Sequence, residues 1–495
     1  ILEDPDQLEI LLEGALTTNI RGVTTMENIN WTEEVLKRKD HLIDDLQQLL
    51  KIRSVLDEEN ATEDEPLGKG VKEALQYLLD LGEKDGFTAK NVGNLAGHLE
   101  MGKGNELVGI LCHVDVVPEG DGWSVDPYGG EVIDGKIYAR GASDDKGPTM
   151  AAYYAMKIVK DLGLPIEKRV RMIIGTDEES NWRCVEHYFQ HEEMPTMGFA
   201  PDADFPIINA EKGIADYDIV LPAKMDDQQA KNTLLSFQSG RRYNMVPDFA
   251  EAVITFEGEQ TDLFQQFTSF LEENELKGKY FVENGELHFE LEGVSAHGME
   301  PRNGKNAGLF LTKFLSTLEL NQHGKKFVDF AVNVLLDQSR GEGLGVQFSD
   351  DITGDLTINV GKMNYDQEKG GSFGINMRYP VTFNMDKGKE TITAKASEHG
   401  FSIENFSDSK PHHVDANDEL IKTLQKVYEE QTGEKAELLS IGGGTYARSL
   451  KSGVAFGALF PGRPDVMHQK DEYMPVDDLL KATAIYAQAI YELAR

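Results

Sequence analysis

The sequence predicts an α/β protein in which a mostly parallel sheet covered by helices is interrupted by an inserted α+β module. Near both ends of the chain, continuous apolar runs of strand length alternate with helical periodicity, as in a sheet buried on both faces. The middle of the chain instead shows polar–apolar alternation, the signature of strands with one wet face. At roughly 150 residues per domain, 495 residues leave room for two or three domains. Hydrophobic residues at 40% and charged residues at 27% exclude a mainly disordered chain.

Taken in order, residues 1–25 are expected to be an added or loosely attached extension. The stretch Leu8–Leu16 is broken by Glu9 and Glu13, so it does not read as a signal peptide. Helical spacing at 31–51 (Trp31, Val35, Leu42, Ile43, Leu46) and at 70–82 (Val71, Ala74, Leu75, Leu78) predicts two helices. Leu107–Val117, bounded by Asn105 and Pro118, predicts a buried strand. A turn-rich stretch leads to an apolar helix at Met150–Leu162 and a second core strand at Arg169–Gly175. These elements assign 26–210 to the first part of a catalytic domain. Residues 211–409 alternate at Ala215–Leu221, Ala250–Phe256, Leu287–Leu291 and Leu356–Val360, with helices at 261–273 and 306–320 between them. They are expected to form an inserted lid. After a polar linker at Ser407–Asp418, helix 417–430, strand Val454–Phe460 and helix 474–495 restore the first pattern, so 410–495 completes the catalytic domain.

Charge narrows the function. Lys+Arg 49 against Asp+Glu 86 leave −37, which disfavours nucleic acid and anionic membrane surfaces as partners. The two cysteines, Cys112 and Cys184, cannot make a disulfide framework and point to a reduced, cytoplasmic setting. No apolar run reaches the ~18 residues of a membrane span.

Five stretches carry chemistry. His113–Val114–Asp115 closes the first core strand, and residues two apart on a strand share a face, so Asp115 can clamp the His113 ring. Gly141–Gly147 holds the adjacent acids Asp144 and Asp145 before a helix start. Asp177, Glu178 and Glu179 follow the second core strand; crowding them in low dielectric is costly unless a cation is bound. Asp202 and Asp204 follow a short apolar stretch, and His468 lies in the loop before the last helix. Together they offer two imidazoles and several carboxylates at strand ends of one sheet. Such mixed ligation suits Zn²⁺, Mn²⁺ or Co²⁺, and a carboxylate left over beside the metal suits a hydrolase. His412–His413 reads as a surface loop without matched acids.

The strings HVDVVPEGDGW, YARGASDDKGPT, GTDEESN, PDADFP and MHQKDEYM, in that order, resemble the metallopeptidase family M20, and most closely its PepV-type, carnosinase-like bacterial dipeptidases. The resemblance runs from Met26 to Arg495. It implies two divalent ions, zinc first and manganese or cobalt as alternatives, with His113 and Asp202 on one, Glu179 and His468 on the other, and Asp144 bridging. It further implies Asp115 as the clamp on His113, Glu178 as general base and His297 as a lid residue that stabilises the oxyanion. Asn244 would help polarise the scissile carbonyl, while Arg378 and the backbone of Gly442, Gly443 and Gly444 would hold the free C-terminus of a dipeptide. Asp145 is left structural. The long lid implies a monomer acting on small peptides. Rival readings are a deacylase of N-acyl amino acids within the same family and a non-catalytic metal- or peptide-binding module.

Overall fold

The structure is a computed structural model that describes residues 29–223, 230–257 and 260–495, so the extension expected at 1–25 lies outside the described residues. Two helices, α1 (Trp31–Leu36) and α2 (Lys39–Leu50), replace the single helix expected at 31–51. They are followed by α3 (Lys69–Lys84), β1 (Thr88–Val92), β2 (Ala96–Met101), β3 (Leu107–His113), α4 (Lys146–Asp161), β4 (Arg169–Gly175), α5 (Arg183–His191), β5 (Met197–Ala200) and β6 (Ile207–Glu211). Every residue of β3 is buried, as its unbroken apolar run requires, but the strand stops at His113, short of the expected Val117.

The middle of the chain builds a second sheet. Its elements are β7 (Gly213–Pro222), β8 (Asn232–Ser239), β9 (Phe249–Phe256), α6 (Gln260–Glu273), β10 (Lys277–Glu283), β11 (Glu286–Glu292), α7 (Ala307–Leu315), α8 (Gln322–Phe330), β12 (Thr357–Asp366), β13 (Gly370–Tyr379), α9 (Met385–Glu398) and β14 (Ser402–Ser409). The strand order is β10-β11-β9-β8-β12-β13-β7-β14, antiparallel throughout. Burial alternates along β7, with Ala215, Tyr217, Ile219 and Leu221 facing inward. These four belong to an apolar core that runs from Ala215 to Phe401 and excludes the chain ends.

The chain then returns to the first sheet through β15 (His412–His413), α10 (Glu419–Thr432), β16 (Leu438–Ile441), β17 (Gly453–Ala455) and α11 (Val476–Ala494). The His412–His413 segment is therefore a short strand on β6 rather than a surface loop, and His412 Nε2 lies 2.6 Å from the Gly453 carbonyl oxygen. The order is β1-β2-β4-β3-β5-β17-β6-β15, with β16 also on β6.

This sheet is mixed, not mostly parallel. Parallel pairing is confined to β4–β3, β3–β5, β5–β17 and β6–β16. β1–β2, β2–β4, β17–β6 and β6–β15 are antiparallel. The turn at 93–95 is too short for a crossover, so β1 and β2 must reverse direction. One face of the sheet is covered by α1, α2, α4, α10 and α11, where Leu46, Leu424, Ile485, Tyr486 and Ile490 are fully buried. The other face holds Leu111, Ile173, Cys184, Tyr188 and Tyr446.

A Cβ placed on Gly175, the last residue of β4, would lie 1.9 Å from Tyr446 Oη. Gly175→Ala is expected to destabilise the protein by about 1–3 kcal/mol through overpacking, read as a lower urea midpoint at unchanged slope.

Candidate metal-binding active site

Strands β3, β4 and β5 are parallel neighbours, so the segments leaving their carboxyl ends collect at one edge of the sheet. His113 ends β3, Glu178 and Glu179 follow β4, and Asp202 follows β5. The loop before α4 brings in Asp144, and the loop before α11 brings in His468. His113 Nε2 lies 3.1 Å from Asp144 Oδ1 and 3.6 Å from Asp202 Oδ2. His468 Nε2 lies 3.0 Å from Asp144 Oδ2 and 3.0 Å from Glu179 Oε1. Two clusters result, His113/Asp144/Asp202 and Asp144/Glu179/His468, each with donor atoms within 4.8 Å of one another. All five residues expected as ligands are thus brought together, and Asp144 belongs to both clusters.

The surrounding residues hold this arrangement in place. Asp115 accepts the backbone N–H groups of Glu178 (3.2 Å) and Glu179 (3.1 Å) through its two carboxylate oxygens. The His113 ring meets Asp115 mainly through the backbone: Nδ1 is 3.0 Å from the Asp115 carbonyl and 3.4 Å from Oδ1. Asp115 therefore ties the β3 end to the β4 end as well as facing the imidazole. Asp145 is buried; its Oδ2 accepts the His113 N–H at 3.2 Å and the Thr149 hydroxyl at 3.0 Å, while its Oδ1 has no partner among the described residues. The Glu178 carboxyl belongs to neither cluster and, among the described residues, has no hydrogen-bond or ion-pair partner.

Sequence reasoning does not single out Tyr446, Arg140 or Glu472. The Tyr446 ring stands edge-on to the His113 ring with centroids 5.9 Å apart. Arg140 and Glu472 form a buried ion pair at 2.7 Å beside the Asp144 loop. In the sequence, Tyr446 looks like any core aromatic and Glu472 like any acid of its loop.

Electrostatics mark the clusters as cation sites. His468 is pushed up to about 10 by its bonds to Asp144 and Glu179. Burial and the neighbouring Asp144 carry Glu179 up to about 7, and burial carries Asp202 up to about 6. Burial and Asp202 push Glu178 well above the usual carboxylate range. Burial opposes charge on Asp144, but His113 and His468 outweigh it and hold its carboxyl below that range. Among the described residues, no Lys or Arg pairs with Asp115, Asp144, Glu178, Glu179 or Asp202. So many unneutralised acids in a buried site fit divalent cations, and a nitrogen–oxygen donor set without sulfur suits zinc, manganese or cobalt.

A second group lies where the two sheets meet. Arg378, buried on β13, donates from Nη1 to the Gly442 carbonyl (3.1 Å) and from Nε to Asn376 Oδ1 (2.8 Å). Burial lowers it to about 10, which leaves it charged near neutrality. Among the described residues, no carboxylate pairs with it. Gly442, Gly443 and Gly444 are not among the glycines with left-handed backbone angles. A Cβ on Gly444 would lie 2.5 Å from Arg448 Nη1 and one on Gly442 would lie 3.3 Å from the Met299 side chain, whereas one on Gly443 would meet only Ile441 at 3.9 Å. His297 and Asn244 sit on paired segments, with Gly298 N–H donating to the Asn244 carbonyl at 2.7 Å. Both side chains are exposed, and neither bonds to the five clustered residues among the described residues. The 442–446 segment connects the two groups, touching Arg378 and Met299 at one end and His113 at the other.

A mixed sheet carrying imidazole–carboxylate clusters at the carboxyl ends of its parallel strands defines a metallohydrolase class. Residues 109–492 match the family described as Peptidase family M20/M25/M40, and the chain belongs to that family. It is 58% identical over 468 residues to "Putative dipeptidase YtjP" of Bacillus subtilis, covering 94% of this chain and 100% of that one. It is 48% identical over 464 residues to "Putative dipeptidase SH1171" of Staphylococcus haemolyticus, covering 94% and 99%. Among solved structures it resembles aminoacylhistidine dipeptidase from Vibrio alginolyticus (TM-score 0.56, 14% identity, 91% of this chain and 96% of that one). It also resembles human carnosine dipeptidase 1 (TM-score 0.52, 14% identity, 94% and 98%). At those identities the structural likeness speaks for the fold. No helix among the described residues is long and apolar enough to cross a membrane.

The raised His468 and Glu179 bind protons where a cation would bind, so metal uptake must release them. Chelator-treated protein is expected to bind Zn²⁺ more tightly at about pH 8 than at about pH 6. Calorimetry in buffers of different ionisation enthalpy should show net proton release.

Proposed function

We propose that the chain is a metal-dependent dipeptidase that cleaves dipeptides bearing a free C-terminal carboxylate, with two divalent ions held by His113, Asp144, Glu179, Asp202 and His468. The observation that carries this reading is the sharing of Asp144 between two imidazole–carboxylate clusters, with the Glu178 carboxyl left over beside them. When bound, divalent ions supply Lewis-acid polarisation of the peptide carbonyl and acidify water.

The chain's own residues do the rest. Glu178 takes a proton from the attacking water and delivers it to the leaving amine; its carboxyl makes no competing bond and sits next to a ligand in the sequence. Arg378 binds the substrate's terminal carboxylate, for which its charge is available, and the 442–444 backbone keeps that pocket free of side chains. Residues 211–409 act as the lid, and His297 and Asn244 donate to the oxyanion once it closes. One such donor contributes on the order of 2.7–4 kcal/mol to transition-state stabilisation. The free, buried thiols of Cys112 and Cys184 suit a reducing compartment.

Glu178→Gln is expected to lower kcat by about 10²–10⁴-fold while metal content by elemental analysis stays at the wild-type level. Substantial residual turnover would remove Glu178 from the base role. Amidating the C-terminus of a good dipeptide substrate should abolish cleavage, and Arg378→Ala should raise KM for the free acid by about 10–100-fold, as the loss of a charged hydrogen bond predicts. Faster release from N-acyl amino acids than from dipeptides would favour the deacylase reading.

A further inference from the structure

We propose that Glu472 is a positioning residue for the shared ligand Asp144, and that Arg140 holds Glu472 in that role; the inference rests on the metal reading above. Glu472 is fully buried, with 0% of its surface exposed. Its Oε1 accepts the backbone N–H groups of Ser143 (2.8 Å) and Asp144 (3.1 Å). Its Oε2 accepts the backbone N–H of Gly141 (3.0 Å) and Nη1 of Arg140 (2.7 Å). Every bond to the carboxylate is donated by nitrogen, so both oxygens act as acceptors, as an ionised carboxylate requires.

The backbone of Glu472 takes part as well, because its carbonyl accepts the Ala139 N–H at 3.1 Å. One residue thus grips the segment 139–144 along its whole length. Gly141 makes this curvature accessible with φ +86, where a Cβ would also meet Val116 at 2.7 Å. Arg140 is locked in turn by the carbonyls of Gln469 (3.2 Å), Pro118 (3.4 Å) and Glu119 (3.2 Å), and its guanidinium lies 5.2 Å from the centre of the Trp123 ring.

Glu472 also belongs to the loop that supplies His468. In that loop His468 and Asp471 adopt left-handed backbone angles, φ +59 and +58, which non-glycine residues hold only when their surroundings enforce them. The Glu472 carboxylate therefore joins the two segments that bring Asp144 and His468 to a 3.0 Å contact. Losing a carboxylate oxygen there loosens the backbone from which the Asp144 side chain reaches both imidazoles.

The test uses the full chain, stripped with a chelator and titrated with Zn²⁺ against a chromophoric competitor. Glu472→Gln should bind Zn²⁺ about 10–100-fold more weakly than wild type, the usual cost of losing a partner behind a metal ligand. Arg140→Lys keeps the charge but loses the fork, and should weaken binding in the same direction by less. Asp471→Asn makes the same charge change one residue away and should leave Zn²⁺ affinity unchanged. Wild-type affinity in Glu472→Gln, with only the urea midpoint of the stripped protein lowered, would reduce Glu472 to a structural residue and overturn the proposal. If Glu472→Gln fails to fold, wild-type affinity in Arg140→Lys overturns it instead. Wild-type protein that takes up no Zn²⁺ would sink the metal reading itself, a distinct result.

Discussion

The two oxygens of a single carboxylate, that of Asp144, face imidazoles drawn from distant parts of the chain: His113 at 3.1 Å and His468 at 3.0 Å. Bringing those groups together sets most of the architecture around them. His113 needs β3 to end at the sheet edge, Asp202 needs β5 beside it, and His468 needs the return of the chain through β17 and α11. The antiparallel strands β1, β2 and β15 lie outside this block. Parallel pairing in the first sheet is thus concentrated where carboxyl ends must point the same way.

Burying that many acids has an electrostatic consequence that the fold answers locally. Asp115 is satisfied by two backbone N–H groups and Glu472 by Arg140 and three N–H groups, whereas Asp145 accepts the His113 N–H and the Thr149 hydroxyl on Oδ2 alone and its Oδ1 is without a partner among the described residues. Asp144, Glu179 and Asp202 instead face the two imidazoles, and the Glu178 carboxyl has no partner among the described residues. The second module enters through Arg378, which donates to the Gly442 carbonyl at the start of a short stretch of the first module that ends at Tyr446 against His113.

Much of this is legible in the sequence because local patterns report burial. The run of β3 announces a strand covered on both faces, and the alternation of β7 and β9 announces one covered on a single face. The five clustered residues are legible less from their local surroundings, which taken singly read as ordinary loops, than from the five motif strings in order that resemble the M20 family. Strand direction is not legible, because a continuous apolar run reports burial on both faces and an antiparallel neighbour allows that as well; hence the mixed sheet. The break between α1 and α2 is missed because apolar spacing continues across it. The glycines at 442–444 suggest a stretch of backbone free of side chains, but the sequence does not show that Arg448 and Met299 pack beside it.

From the order of its amino acids alone, this chain announces the buried core strands β3 and β4, the one-sided alternation of strands in its middle, and the imidazole and carboxylates that lie at the ends of β3 and β4. Those properties are local: a side chain's periodicity and its neighbours in sequence contain the information. The pairing of Asp144 with both imidazoles, the grip of Glu472 and the reach of Arg378 to Gly442 were decided only on folding. Each joins residues far apart in the chain at hydrogen-bond range, and sequence separation holds no distance.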